Sequence, residues 1–169
     1  MLKVENVMTR DVRGCTPGDT LDHAAQVMWE HDCGCVPVTM GGDGTAPVLA
    51  GMLTDRDVCM AAYTQGKPLH AIEIGSVMAR AVATCKPSDT VASALKIMRT
   101  RQLRRLPVVD AEDHLVGMLS LADMAREGQH ERGWKRKGVS DRSIGETIAA
   151  IVRPRGGGRE LATAVGRRG

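Results

Sequence analysis

The stretch Gly51-Met52-Leu53-Thr54-Asp55-Arg56-Asp57 returns 66 residues later as Gly117-Met118-Leu119-Ser120-Leu121-Ala122-Asp123. Both copies read glycine, two apolar residues, a hydroxyl residue, two variable residues and then Asp. The glycine and the apolar pair predict a strand leaving a core. The Thr or Ser then falls where a strand hands over to a helix, the favoured N-cap position. Three residues on, the Asp returns to the same helix face. A hydroxyl and a carboxylate thus share a helix mouth whose free N–H groups favour an anion. That combination suits a ribose diol and a phosphate on one small molecule.

Working outward, the match extends across most of the chain, and an internal repeat governs any fold assignment. The offset is 70 residues through the earlier part of the unit. Val7-Met8 matches Val77-Met78, Cys15 matches Cys85, and Pro17-x-Asp19-Thr20 matches Pro87-x-Asp89-Thr90. Ala25 and Met28 match Leu95 and Met98, and Val36-Pro37-Val38 matches Leu106-Pro107-Val108. The first copy carries four extra residues within Met40 to Thr45, a turn-rich stretch that tolerates insertion.

These motifs, six in register and twice over, resemble the cystathionine-β-synthase (CBS) domain family in its tandem-pair form. The resemblance covers about residues 5 to 127. It implies an α+β fold: two β-α-β-β-α units packed face to face about a pseudo-two-fold axis, 5–70 and 74–128, with a basic tail over 129–169. It also implies adenine-nucleotide clefts between the units and a homodimer. Glu30-His31-Asp32 and Arg104-Arg105 before an apolar-Pro-Val strand resemble small stand-alone bacterial members, some associated with hypoxia or stress.

Composition bounds the rest. The chain has 169 residues, no Phe, one Tyr, two Trp and ten Met, so its core must be aliphatic and Met-rich. No apolar run reaches about 18 residues and no basic-then-apolar leader opens the chain, which predicts a cytoplasmic protein without membrane association. Five cysteines without secreted-domain spacing point the same way. Residues 1–125 hold 12 basic and 15 acidic residues, whereas 126–169 hold 11 and 5, so the positive charge is in the tail.

Along the first copy, the pattern predicts a turn at Val4–Met8, a strand at Val12–Thr16, a helix from Asp19-Thr20 to about His31, a strand at Val36–Val38 with Pro37 at a strand start or a sheet edge, a strand at Pro47–Thr54 and a helix at Asp55–Tyr63. The second copy repeats this as strand Ala81–Cys85, helix Thr90–Arg101, strands Leu106–Val109 and Leu115–Ser120, and helix Leu121–Glu127. Ser143-x-x-Glu146 reads as a capping box opening a short amphipathic helix over 143–153. Beyond it the Gly/Arg-rich end is expected to be disordered.

Several residue groups have both a chemical and a purely structural reading. Thr54 with Asp57, and Ser120 with Asp123, are ligand groups or only helix caps. Arg56 gives the first pair a phosphate partner where the second has Ala122. Arg104 and Arg105 are either a solvated face or cations lent across the units. His31-x-Cys33-x-Cys35 is set aside as a metal site, because Cys33 aligns with apolar Leu103 and the spacing is not the usual one for zinc. A Cys15–Cys35 disulfide is an alternative of the same weight. No hydrolase, metalloprotease or P-loop motif is present, so a non-enzymatic role is expected. Nucleic-acid binding by the basic tail is not favoured, because its Gly/Arg-rich end lacks aromatic stacking groups.

The resulting expectation is a regulatory module that senses AMP, ADP or ATP between two units and signals to a separate protein. Asp57 and Asp123 would take the ribose hydroxyls. Thr54, Ser120 and Arg56 would face the phosphates. Adenine would lie near Cys15–Pro17 or Cys85–Pro87 and the strands Val36–Val38 and Leu106–Val108. The alternatives are a nucleotide-independent interaction or stress protein and, behind it, a metal- or redox-responsive module.

Overall fold

The computed structural model describes residues 1–41, 46–130 and 140–154, with side chains as far as 127 in the middle segment. Residues 42–45, which carry most of the first copy's insertion, lie outside the described residues, as do 131–139 and the end expected to be disordered, 155–169. Each unit is a helix, a β-hairpin and a helix. The first comprises α1 (Leu21–Glu30), β1 (Cys35–Met40), β2 (Val48–Thr54) and α2 (Asp55–Gln65). The second comprises α3 (Val91–Arg101), β3 (Arg105–Val109), β4 (Leu115–Ser120) and α4 (Leu121–His130), and α5 (Asp141–Ile151) follows.

The hairpins are antiparallel and share one register: Cys35 opposite Thr54 and Val38 opposite Gly51, then Arg105 opposite Ser120 and Val108 opposite Gly117. Each carries an irregularity at the same place, between Val38 and Thr39 and between Val108 and Val109.

The strands expected at Val12–Thr16 and Ala81–Cys85 do not form. Each shrinks to one parallel bridge, Cys15 with Val38 and Cys85 with Val108. Proline is the reason. Cys15 N donates to Pro37 O at 3.0 Å and Thr39 N donates to Cys15 O at 2.9 Å. Extending this ladder upstream would need an N–H from Pro37, and extending it downstream would need one from Pro17; neither exists. Pro107 and Pro87 stop the second ladder in the same way. Pro37 accordingly sits inside β1, with its donor-free side turned to the Cys15 segment.

The lead-in of each unit belongs to the core of the other. Val4 and Met8 pack with Cys85, Val91, Leu106, Leu119 and Met124. Ile72, Ile74 and Met78 pack with Cys15, Leu21, Val36, Leu53 and Val58. The backbone follows: Val4 N donates to Asp89 O at 2.9 Å and Ile74 N to Asp19 O at 2.8 Å. Thr9 exchanges both backbone hydrogen bonds with Met118, as Ala79 does with Met52. The recurring glycine is needed here. A Cβ on Gly51 would lie 2.8 Å from both Ala79 O and Met78 Sδ, and one on Gly117 would lie 2.8 Å from Met8 Sδ and 2.9 Å from Thr9 O.

The two hairpins meet through equivalent residues. Val48 and His114, related by the 66-residue offset, form an antiparallel bridge. In it Leu49 N donates to Asp113 O and Leu115 N to Pro47 O. A bridge between equivalents lies on the pseudo-two-fold axis.

The last helix, α5, opens earlier than its sequence suggests. Its cap is Ser140, whose Oγ accepts from Ser143 N at 3.2 Å, so Ser143 is inside the helix. Glu146 does not close a capping box but pairs with Arg142 and Arg99. Ile144 and Thr147 are buried, and α5 packs on α3 and α4. Gln102, left-handed at the end of α3, gives its side-chain amide to Ala150 O at 3.0 Å and Arg153 O at 3.1 Å. These bonds tie the end of α3 to the end of α5. In the first unit the position of Arg99 is held by Trp29, which is 88% exposed.

Candidate functional site

Thr54 ends β2 in extended backbone and opens α2 as its N-cap. Asp57 N donates to Thr54 Oγ1 at 3.2 Å, while Asp57 Oδ2 accepts from Thr54 N at 2.9 Å and Thr54 Oγ1 at 2.7 Å. The second unit repeats the geometry: Asp123 N to Ser120 Oγ at 3.0 Å, and Asp123 Oδ2 accepting from Ser120 N at 2.8 Å and Ser120 Oγ at 2.6 Å. Both pairs are therefore reciprocal capping boxes. One carboxylate oxygen serves the cap, and any ligand chemistry must use the other.

The other oxygen separates the two copies. Among the described residues Asp57 Oδ1 has no hydrogen-bond partner. Asp123 Oδ1 is held by Arg126 Nη2, one turn further along α4. The expectation that the second copy lacks a local cation, drawn from Ala122, overlooked Arg126. The signal was its i,i+3 spacing from Asp123; the first copy has Met60 there. Arg56 is exposed, and its backbone N donates to Asp55 Oδ1 at 2.7 Å.

Arg105 crosses between the units. It stands opposite Ser120 on the β3–β4 hairpin, yet its Nη1 reaches Cys35 Sγ at 3.7 Å. Cys35 stands opposite Thr54, and directly opposed residues share a sheet face. The guanidinium thus approaches the first mouth from the second unit. Gly34 allows this: a Cβ there would lie 3.0 Å from Asp55 Oδ2 and 3.8 Å from Arg105 Nη1. Arg104 is exposed. A hollow of about 400 Å³ adjoins the first mouth at Asp55 and runs between Trp29, Asp32, Cys33, Gly34 and Val58. Thr54, Arg56 and Asp57 do not line it.

All five cysteines are free thiols. Burial pushes the Cys15 thiol up to about 11, with the Asp19 charge adding to it. Burial pushes Cys85 up to about 12, again with an aspartate, Asp89, beside it. Cys35 is also raised by burial, although Arg105 opposes the rise. Among the described residues, His31, Cys33 and Cys35 do not gather as metal donors. The groups that do are Cys15, Asp19 and His23, and Asp110, Glu112 and His114. In the latter Asp110 Oδ1 already accepts from Glu112 N and His114 N, and Oδ2 lies 3.0 Å from His114 Nδ1, so it is a self-satisfied turn. No helix among the described residues is long and apolar enough to cross a membrane.

Known proteins share this fold. The family described as "CBS domain" matches residues 4–63 and again 74–130. The CBS domain-containing protein YhcV of Bacillus subtilis is 35% identical over 125 residues, 74% of this chain and 84% of that protein. Hypoxic response protein 1 of Mycobacterium tuberculosis is 32% identical over 126 residues, 75% of this chain and 85% of its own length. A crystal structure of Hypoxic Response Protein I with two coordinated zinc ions superposes with a TM-score of 0.63 at 32% identity, covering 73% of this chain and 97% of that one. CBSX2 in complex with AMP has the same fold, with a TM-score of 0.65 at 23% identity, covering 77% of this chain and 98% of the other. CBS pairs are regulatory, and they often bind adenosine-containing ligands. The repeat, the exchanged lead-ins and the match of one family to both halves together make this chain a member of the CBS domain family, built as a tandem CBS pair.

Proposed function

We propose that this chain is a regulatory module that binds an adenine nucleotide, AMP, ADP or ATP, at the mouth formed by Thr54, Arg56 and Asp57, and signals to a separate protein. The observation that carries this reading is Asp57 Oδ1: the cap holds Oδ2 in place, and Oδ1 is left to accept ribose hydroxyls. The N-terminus of α2 favours a phosphate, Arg56 is free to turn toward it, and Arg105 adds positive charge from the other unit. Ser120 and Asp123 form a second, weaker mouth, because Arg126 competes for the carboxylate.

A ligand touching one unit and a cation of the other would shift how the units pack, and a partner would read that shift. Trp29, Met60 and Tyr63, at 88%, 47% and 82% exposure, give the α1–α2 side an apolar surface for an effector or a second copy in a homodimer. On the second unit α5 lies against the corresponding helices.

The test is calorimetric titration of the whole chain with AMP, ADP, ATP and S-adenosylmethionine, beside Asp57→Asn. Asn keeps an oxygen for the Thr54 cap and turns the outer acceptor into a donor. Saturable adenine-nucleotide binding that Asp57→Asn weakens supports the reading. Absence of binding by the wild type would instead favour a nucleotide-independent interaction or stress protein.

A further inference from the structure

We infer that Cys15, Asp19 and His23 form a binding site for one zinc-class divalent cation on the first unit, with no residue shared with the Thr54, Arg56 and Asp57 mouth. One donor atom from each, the Cys15 Sγ, an Asp19 carboxylate oxygen and a His23 ring nitrogen, lies within 4.8 Å of the other two. Around a tetrahedral zinc ion such donors stand about 3.5 Å apart, so small side-chain rotations close the site. Thiolate, carboxylate and imidazole are all zinc ligands, and three of them leave a fourth position for water or a small ligand. The thiol releases its proton to solvent as the metal binds. The thiolate and the carboxylate then balance the 2+ charge.

The backbone is already held in place for this. Cys15 is pinned through both its N and O by the bridge to β1. Asp19 O accepts from Ile74 N at 2.8 Å, and Asp19 Oδ2 accepts from Thr16 N at 2.6 Å. Asp19 Oδ1 has no partner among the described residues. His23 is exposed on the first turn of α1, so the site opens to solvent while its thiol is buried beneath.

The repeat supplies an internal control. Cys85 and Asp89 occupy the equivalent positions, and Asp89 Oδ2 accepts from Lys86 N at 2.8 Å, just as Asp19 does from Thr16 N. Packing and turn formation therefore account for the Cys and the Asp in both units. They do not account for His23, because its equivalent is Ser93. The first unit carries a third donor that the second lacks, which predicts one metal per chain rather than two.

The experiment strips the full-length protein with a chelator and titrates it with zinc alone, and in parallel with cobalt(II) as a spectroscopic probe. One zinc should bind per chain and raise the melting temperature. Cobalt should give a sulfur-to-metal charge-transfer absorption that Cys15→Ser abolishes. His23→Ser copies the second unit at an exposed position and leaves the fold intact. It should weaken zinc by about a hundred-fold or more, since even outer-shell partners cost 10–100-fold. No stoichiometric zinc binding by the wild type, or equal affinity in His23→Ser, would overturn the site.

Discussion

Arg105 donates from Nη1 to Cys35 Sγ at 3.7 Å, and the two residues are 70 positions apart, at the same place in the repeat. Equivalent residues can touch only near the axis that relates the units, so this contact and the Val48–His114 bridge mark it. The contact is one-sided: the second unit extends a cation toward the first, and the first returns a thiol. A nearly symmetric pair of mouths thereby becomes electrostatically unequal.

The first expected outcome follows from that inequality. Arg105→Met keeps a long apolar stem and removes the charge. A charge-assisted hydrogen bond is worth about 1.5–3 kcal/mol, or about ten- to a hundred-fold in affinity. Calorimetry should show AMP and ATP weakened on that scale while adenosine changes little. An equal loss for adenosine would place Arg105 away from the phosphates.

Asp57 has two duties, which different substitutions separate. Asp57→Ala removes the reciprocal cap as well as the outer oxygen, so it should lower stability by about 1 kcal/mol and also lose ligand. Asp57→Asn should lose ligand with a smaller stability change. Asp123→Ala should cost similar stability but affect nucleotide affinity less, since Arg126 already occupies its outer oxygen. Denaturation midpoints beside titrations of all three variants check the division.

The glycines at the lead-in crossings should not tolerate a methyl group. Gly51→Ala and Gly117→Ala each push a Cβ to within about 3 Å of backbone oxygen, an overpacking cost of roughly 1–3 kcal/mol. Gly145, inside α5, has nothing within 4 Å of its built Cβ. Gly145→Ala should stabilise by up to about 1 kcal/mol through helix propensity. Chemical denaturation of the three variants should give opposite signs.

Stability should fall on the alkaline side of about pH 9. Burial holds the Cys85 thiol protonated up to about 12, against an ordinary value of 9.0. Above about pH 9 the unfolded chain sheds this proton and the folded chain keeps it, so rising pH draws the equilibrium toward unfolding. Melting temperatures taken between about pH 8 and pH 10 should decline less steeply in Cys85→Ala than in the wild type, whatever the overall cost of its cavity.

The sequence by itself determined the repeat, the two helix mouths and the hydroxyl–carboxylate pairs at them, because these depend on spacing within about one turn of helix and on local capping rules. It also contained the reason why the outer strands fail, in Pro17, Pro37, Pro87 and Pro107. Reading that reason required knowing which edge each proline's missing N–H would face, and that is a matter of pairing. Only the tertiary structure decided that each lead-in fills the other unit's core, since Val4 and Ile74 are apolar in either assignment. Residues far apart in the chain, such as Arg105 and Cys35 or Arg99 and Glu146, meet through the packing of whole units. The difference between Asp57 and Asp123, by contrast, was within reach of the sequence, because Arg126 follows Asp123 by three residues on the same helix.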